Sequence, residues 1–87
     1  MKDILLINVS GQDKPGVTSA VPDVLSRYDV TVLDIGQAVI HDQLNLGILA
    51  AVPRTEQTDT VTGAVIASLD ELEMGGRFLP ITEQGYQ

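Results

Sequence analysis

Twice along this chain an apolar run leads into an apolar stripe at helical spacing, with two branched runs lying between the stripes, and this order constrains the fold more than any composition. Ile4, Leu5, Leu6, Ile7, Asn8 and Val9 form a short branched run ended by Ser10 and Gly11, the signature of a strand buried on both faces and central in its sheet. Val17, Ala20, Val21, Val24, Leu25 and Tyr28 then recur at the three-and-four spacing that lines one side of a helix. Asp13 is the natural N-cap for that helix, and Pro15 suits its first turn. Pro22 leaves the carbonyl of Thr18 without a donor, at about 3 kcal/mol in a regular helix interior, so a kink or an early break is expected there.

Residues 30–40 and 44–52 are two strand-like runs separated by His41, Asp42 and Gln43, which predicts a hairpin. Leu44, Leu46, Ile48, Ala50 and Val52 form the apolar set of the second run. On the first run the odd positions Leu33, Ile35 and Val39 match that set better than the even ones, which include Asp34. This parity requires a loop of even length, and a two-residue turn satisfies it. Pro53 stops the second run. A polar approach through residues 55–59 leads to a second helix striped by Val61, Ala64, Val65, Ser68, Leu69 and Leu72, with Gly75 and Gly76 expected to end it. Residues 77–81 read as a short last strand, which Pro80 assigns to a sheet edge or a strand end.

The resulting order, βαββαβ, predicts an α+β chain of ferredoxin-like type: a four-stranded antiparallel sheet with two helices on one face. Ala38, Ile40, Leu49 and Ala51 then fall on the uncovered face, mixed with Asp34, Asn45 and Gly47, which predicts a homodimer or a neighbouring domain against it. Eighty-seven residues accommodate one domain, residues 1–87. Twelve Asp and Glu against five Lys and Arg give a net charge of -7, so nucleic acid and anionic membranes are poor partners. Without cysteine there are no disulfides or thiolate sites. The first apolar run is too short for a signal core or a membrane span, and a cytoplasmic location is expected.

The loop from Ser10 to Thr18 carries the chemistry. It joins a central strand to a helix N-terminus, where exposed N–H groups and the helix dipole favour a carboxylate or a phosphate. Gly11 and Gly16 permit close approach to the backbone, and Asp13 can accept hydrogen bonds from an ammonium, so the loop can hold an α-amino acid. A purely structural reading fits the same residues: Asp13 caps the helix and the glycines turn the chain. The loop is not a phosphate-binding Gly-x-x-x-x-Gly-Lys-Ser/Thr motif. His41, the single histidine, reads as a solvated turn residue, and the acidic residues near 70–73 as a solvated helix end. No metal-ligand spacing and no catalytic residue are identified.

The stretch Gly11-x-Asp13-x-Pro15-Gly16-Val17 resembles the first strand–helix loop of ACT domains, the small amino-acid-binding regulatory modules of metabolic enzymes. Residues 33–42 followed by Leu46-Gly47-Ile48-Leu49 resemble the amino-terminal ACT region of bacterial phosphoserine phosphatases. The resemblance implies a non-catalytic regulatory and dimerising domain, an excised part of a longer enzyme of serine biosynthesis. In that enzyme a HAD-type domain would use Mg2+ and an aspartate nucleophile; this domain itself has no such motif, and no cofactor is expected in it. The family pattern implies a small amino acid, serine above all, held between Gly11, Asp13, Pro15, Gly16, Val17 and Thr18 of one ACT domain and Asp34, Ile35, Gly36 and Gln37 of a neighbour. Pro22 departs from the family's usual mid-helix residues. Two alternatives share the loop and the fold: an ACT domain that only joins subunits, and one belonging to a transcription-associated regulator of glycine and serine metabolism.

Overall fold

The computed structural model describes residues 3–81. Strand β1 (Asp3–Gln12) is followed by helix α1 (Val17–Ser26), strands β2 (Thr31–Ile40) and β3 (Gln43–Val52), helix α2 (Thr58–Glu71) behind a 3-10 turn at Thr55–Gln57, and strand β4 (Gly75–Ile81). The sheet order is β2-β3-β1-β4, and every neighbouring pair is antiparallel. This is the ferredoxin-like arrangement, with β1 central and β4, which contains Pro80, at an edge. Ile4 and Ile81 pair at one end of the β1–β4 ladder.

The pleat decides which residues meet the helices. Leu5, Ile7 and Val9 of β1 and Leu44, Leu46, Ile48, Ala50 and Val52 of β3 are buried beneath Val17, Val21, Val24 and Leu25 of α1 and Val61, Val65 and Leu69 of α2. The other face of β1 is not buried throughout: Ile4 is buried, Leu6 half-buried and Asn8 exposed, and among the described residues no helix packs on that side of the sheet.

The hairpin turn has two residues, His41 and Asp42, since Ile40 pairs with Gln43. Their φ values of 54° and 64° match the strand twist as a type I′ turn requires. The expected parity holds from Asp34 to Ile40, where Ile35 pairs with Ile48 and Val39 with Leu44. A register shift between Val32 and Asp34 reverses it beyond, so Val32 pairs with Ala50 and Leu33 is the extra residue. Ile35 and Val39 remain 45% and 49% exposed because β2 is the outer strand and the helices sit over β3 and β1.

Three expectations are corrected. Asp13 does not cap α1: Gly16, in the left-handed region at φ 87°, precedes the first helical residue, and no side chain caps the helix. Asp13 is still tied to the strand layer, since its N–H donates to the Asp42 carbonyl at 2.9 Å, so the helix starts only after the loop has turned. Helix α1 runs through Pro22 without a break, and the missing donor affects one carbonyl in a short helix. Helix α2 is ended by Glu73 at φ 58°, not by Gly75 or Gly76, which belong to β4. The Met74 N–H donates to the Leu69 carbonyl at 2.9 Å and the Glu73 N–H to Asp70 at 3.1 Å, a Schellman pattern closed by contact between buried Leu69 and Met74. Gly76 serves close packing instead, because a Cβ there would lie 2.7 Å from Leu69 Cδ1.

Candidate functional site

The loop between β1 and α1 is held at several points. Gly11 lies against Met74, and a Cβ on it would approach the Met74 sulfur to 2.7 Å. Lys14 is half-buried, and its Nζ donates to the Leu72 carbonyl at 2.8 Å. The Val17 N–H reaches back to the Lys14 carbonyl at 3.5 Å, and Ser19 Oγ donates to the Gly16 carbonyl at 3.2 Å. The first turn of α1 is therefore presented by a braced loop, with no side chain capping its amides. Such an uncapped N-terminus carries partial positive charge and can receive a carboxylate.

Asp13, Pro15 and Gly16 are exposed beside this terminus, whereas Val17 is a core residue and can offer a ligand only its backbone. Thr18 is exposed, and its Oγ1 donates to Gln37 Oε1 at 2.9 Å, so the loop side and β2 meet within one chain. The pleat divides the four β2 candidates. Ile35 and Gln37 share the helix-side face with Ile48 and Leu46, while Asp34 and Gly36 share the open face with Leu49 and Gly47. Asp34 Oδ1 accepts the Ile35 N–H at 2.9 Å. One small ligand at the α1 terminus can thus face Ile35 and Gln37 of a strand oriented this way, but not Asp34 and Gly36 of the same strand.

The loop is open to solvent, and two depressions among the described residues lie elsewhere. One, of about 490 Å3, is on the open sheet face, bordered by Asn8, Asn45, Gly47, Gly75 and Arg77. The other runs between the outer sides of α1 and α2 past Ala20, Asp23, Arg27, Ala64 and Glu71. Among the described residues no group of three or more His, Cys, Asp and Glu could hold a metal ion, and no helix is long and apolar enough to cross a membrane. His41 is an exposed turn residue. Sequence reasoning missed the contacts of Lys14 and Gly11 with the far end of α2 as supports of the loop. Their partners are Leu72, 58 positions away from Lys14, and Met74, and no local pattern signals either contact.

Several known proteins are similar to this chain. The phosphoserine phosphatase SerB2 of Mycobacterium tuberculosis is 47% identical over 49 residues, covering 56% of this chain and 12% of that protein. The chain thus spans about an eighth of that relative's length. A UPF0237 protein of Bifidobacterium longum is 31% identical over 67 residues, 77% of this chain and 71% of that protein. Among solved structures, a glycine cleavage system transcriptional repressor superposes on the whole chain and on 50% of its own, with a TM-score of 0.89 at 15% identity, which speaks to the fold alone. The model of the ACT domain family matches residues 3–77, and with this fold, this loop and these relatives the chain belongs to the ACT domain family.

Proposed function

We propose that this chain is the regulatory ACT domain of a phosphoserine phosphatase and that it binds a small α-amino acid, serine first, at the N-terminus of α1. The observation that carries the reading is the 47% identity to SerB2 over 49 residues, which are 56% of this chain but only 12% of that enzyme's length. In this reading the ligand carboxylate lies on the uncapped first-turn amides and its ammonium near Asp13. Ile35 and Gln37 of a neighbouring β2 close the open side. Mg2+ and the aspartate nucleophile belong to a separate phosphatase domain, and the protein works in the cytoplasm. A second reading, an ACT domain of a regulator of glycine and serine metabolism, is compatible with the same loop and fold.

Thermal unfolding with and without serine tests the site. Ligand at 100 times its dissociation constant stabilises a fold by about 2.7 kcal/mol. Asp13→Asn removes the charge an ammonium needs, so the serine-dependent shift should shrink while ligand-free melting stays unchanged. Absence of a shift with serine, glycine or any other small amino acid at millimolar concentration overturns the site and leaves a subunit-joining role. A shift with glycine alone favours the second reading.

A further inference from the structure

The open sheet face is divided along its strands. Toward the hairpin turn, one row across β3, β1 and β4 reads Gly47, Asn8, Arg77 and the next reads Asn45, Ser10, Gly75, whereas the row on the other side is Leu49, Leu6, Leu79. The two polar rows border the 490 Å3 depression. Glycine occupies two diagonal corners of this block, although the strands make no demand for it: neither Gly47 nor Gly75 has positive φ. A Cβ at Gly47 would meet Asn8 Oδ1 at 3.6 Å, and one at Gly75 would meet the Ser10 carbonyl at 3.6 Å and its Oγ at 3.9 Å, ordinary contacts. Glycine inside a strand weakens it and often marks a site where a ligand approaches closely. The hollow is room left open at two positions that a side chain could fill.

We propose that this depression binds a small hydroxylated oxyanion, a molecule that carries a carboxylate or a phosphate, hydroxyl groups and no ammonium. Among the described residues none of Arg77, Asn8, Ser10 and Asn45 has a side-chain hydrogen bond or ion pair, so all four can turn to a partner from outside. The Arg77 guanidinium presents parallel N–H donors that fit an oxyanion. The two carboxamides and the Ser10 hydroxyl both donate and accept, which is what a ligand hydroxyl requires of its partners. Arg77 and Asn45 stand at opposite corners, with Cα atoms about 12 Å apart by the strand and row spacings. Side chains reaching inward from both corners leave a gap that a chain of about three or four carbons spans.

Charge narrows the class of ligand. The chain carries a net charge of -7, yet among the described residues the single carboxylate on this face is Asp34, on β2 at the opposite edge of the sheet from β4. Three strand spacings separate it from Arg77, about 14 Å or more, which is beyond a Debye length at physiological salt. An anion therefore meets a lone cation here and no nearby acid. The same absence of acid leaves nothing to hold an ammonium, so an α-amino acid fits poorly, and a hydroxy acid or a hydroxylated phosphate ester fits well. The volume lies within the range of about 300–1,000 Å3 usual for small-molecule sites.

This depression lies on the side of the sheet away from the helices, and the proposal stands whether or not the loop binds serine. Backbone amide NMR of the 87-residue chain, titrated with glycerate, glycerol phosphate and inorganic phosphate, tests it. The two organic probes should give saturable shifts at Asn8, Ser10, Gly47 and Gly75, and the tighter of them identifies carboxylate or phosphate as the anchor. Arg77→Gln should raise the Kd at least about tenfold without changing the melting temperature, and Arg77→Lys should recover only part of the loss. Asn45→Ala should weaken the organic probes and leave inorganic phosphate unaffected. Gly47→Ala, which the fold accommodates, should weaken the organic probes by occupying the hollow. No saturable shift with any probe at millimolar concentration overturns the proposal, and so does binding that survives Arg77→Gln. Inorganic phosphate binding as tightly as the better organic probe would mean an adventitious ion only and overturns it too. Excess serine should displace neither organic probe; displacement would put the ligand at the β1–α1 loop and overturn this site.

Discussion

Lys14 Nζ donates a 2.8 Å hydrogen bond to the carbonyl of Leu72, joining the β1–α1 loop to the C-terminal end of α2. That end has no basic residue in its own last turn and carries Asp70, Glu71 and Glu73, the wrong sign for the dipole. A lysine from a distant segment of the chain supplies the missing cation. Lys14→Met should therefore cost about 1 kcal/mol in chemical denaturation, with the gap to wild type narrowing at high salt. Lys14→Arg should recover most of it, and an unchanged midpoint for Lys14→Met would show that the bond contributes nothing.

Glu73 holds a left-handed conformation at φ 58° that glycine adopts without a Cβ penalty. Glu73→Gly should stabilise the domain by about 1 kcal/mol, also removing an acid from a helix C-terminus. For a domain of this size that corresponds to about 4–8 °C in melting temperature. A lower melting temperature would mean that the Schellman turn does not control this helix end.

Asp13 offers no side-chain cap to α1, and its structural bond is made by its backbone N–H. Asp13→Ala should therefore shift stability by less than about 0.5 kcal/mol, as at an ordinary surface position. A loss of about 1 kcal/mol would reveal a cap in solution.

The order of elements was legible because each change of hydrophobic period falls at a real boundary, and the hairpin turn because β3 buries every second residue and thereby sets the loop's parity. The ends of the helices were less legible. Asp13 is the better N-cap by type, yet its N–H is bonded to Asp42 at the end of the strand layer, leaving Gly16 to begin the helix. Gly75 and Gly76 are the better helix terminators by type, yet Met74 has to reach Leu69, which puts Glu73 at the turn and leaves Gly76 to make room for the Leu69 side chain. The bulge at Leu33 has no residue that announces it. In the candidate site the loop residues were identifiable from type and order, whereas their supports, Leu72 and Met74, lie around the far end of α2 and meet the loop only once the chain has folded.

Ile4 and Ile81 are directly paired neighbours on adjacent strands. The described backbone thus begins and ends side by side, at one end of the β1–β4 ladder. A module with that geometry works as a cassette: spliced into a longer polypeptide, it leaves the flanking segments almost as close together as they were before. A pull on those segments would be borne first by the last rungs of this ladder, which would open in succession like a zip before the helices felt any load.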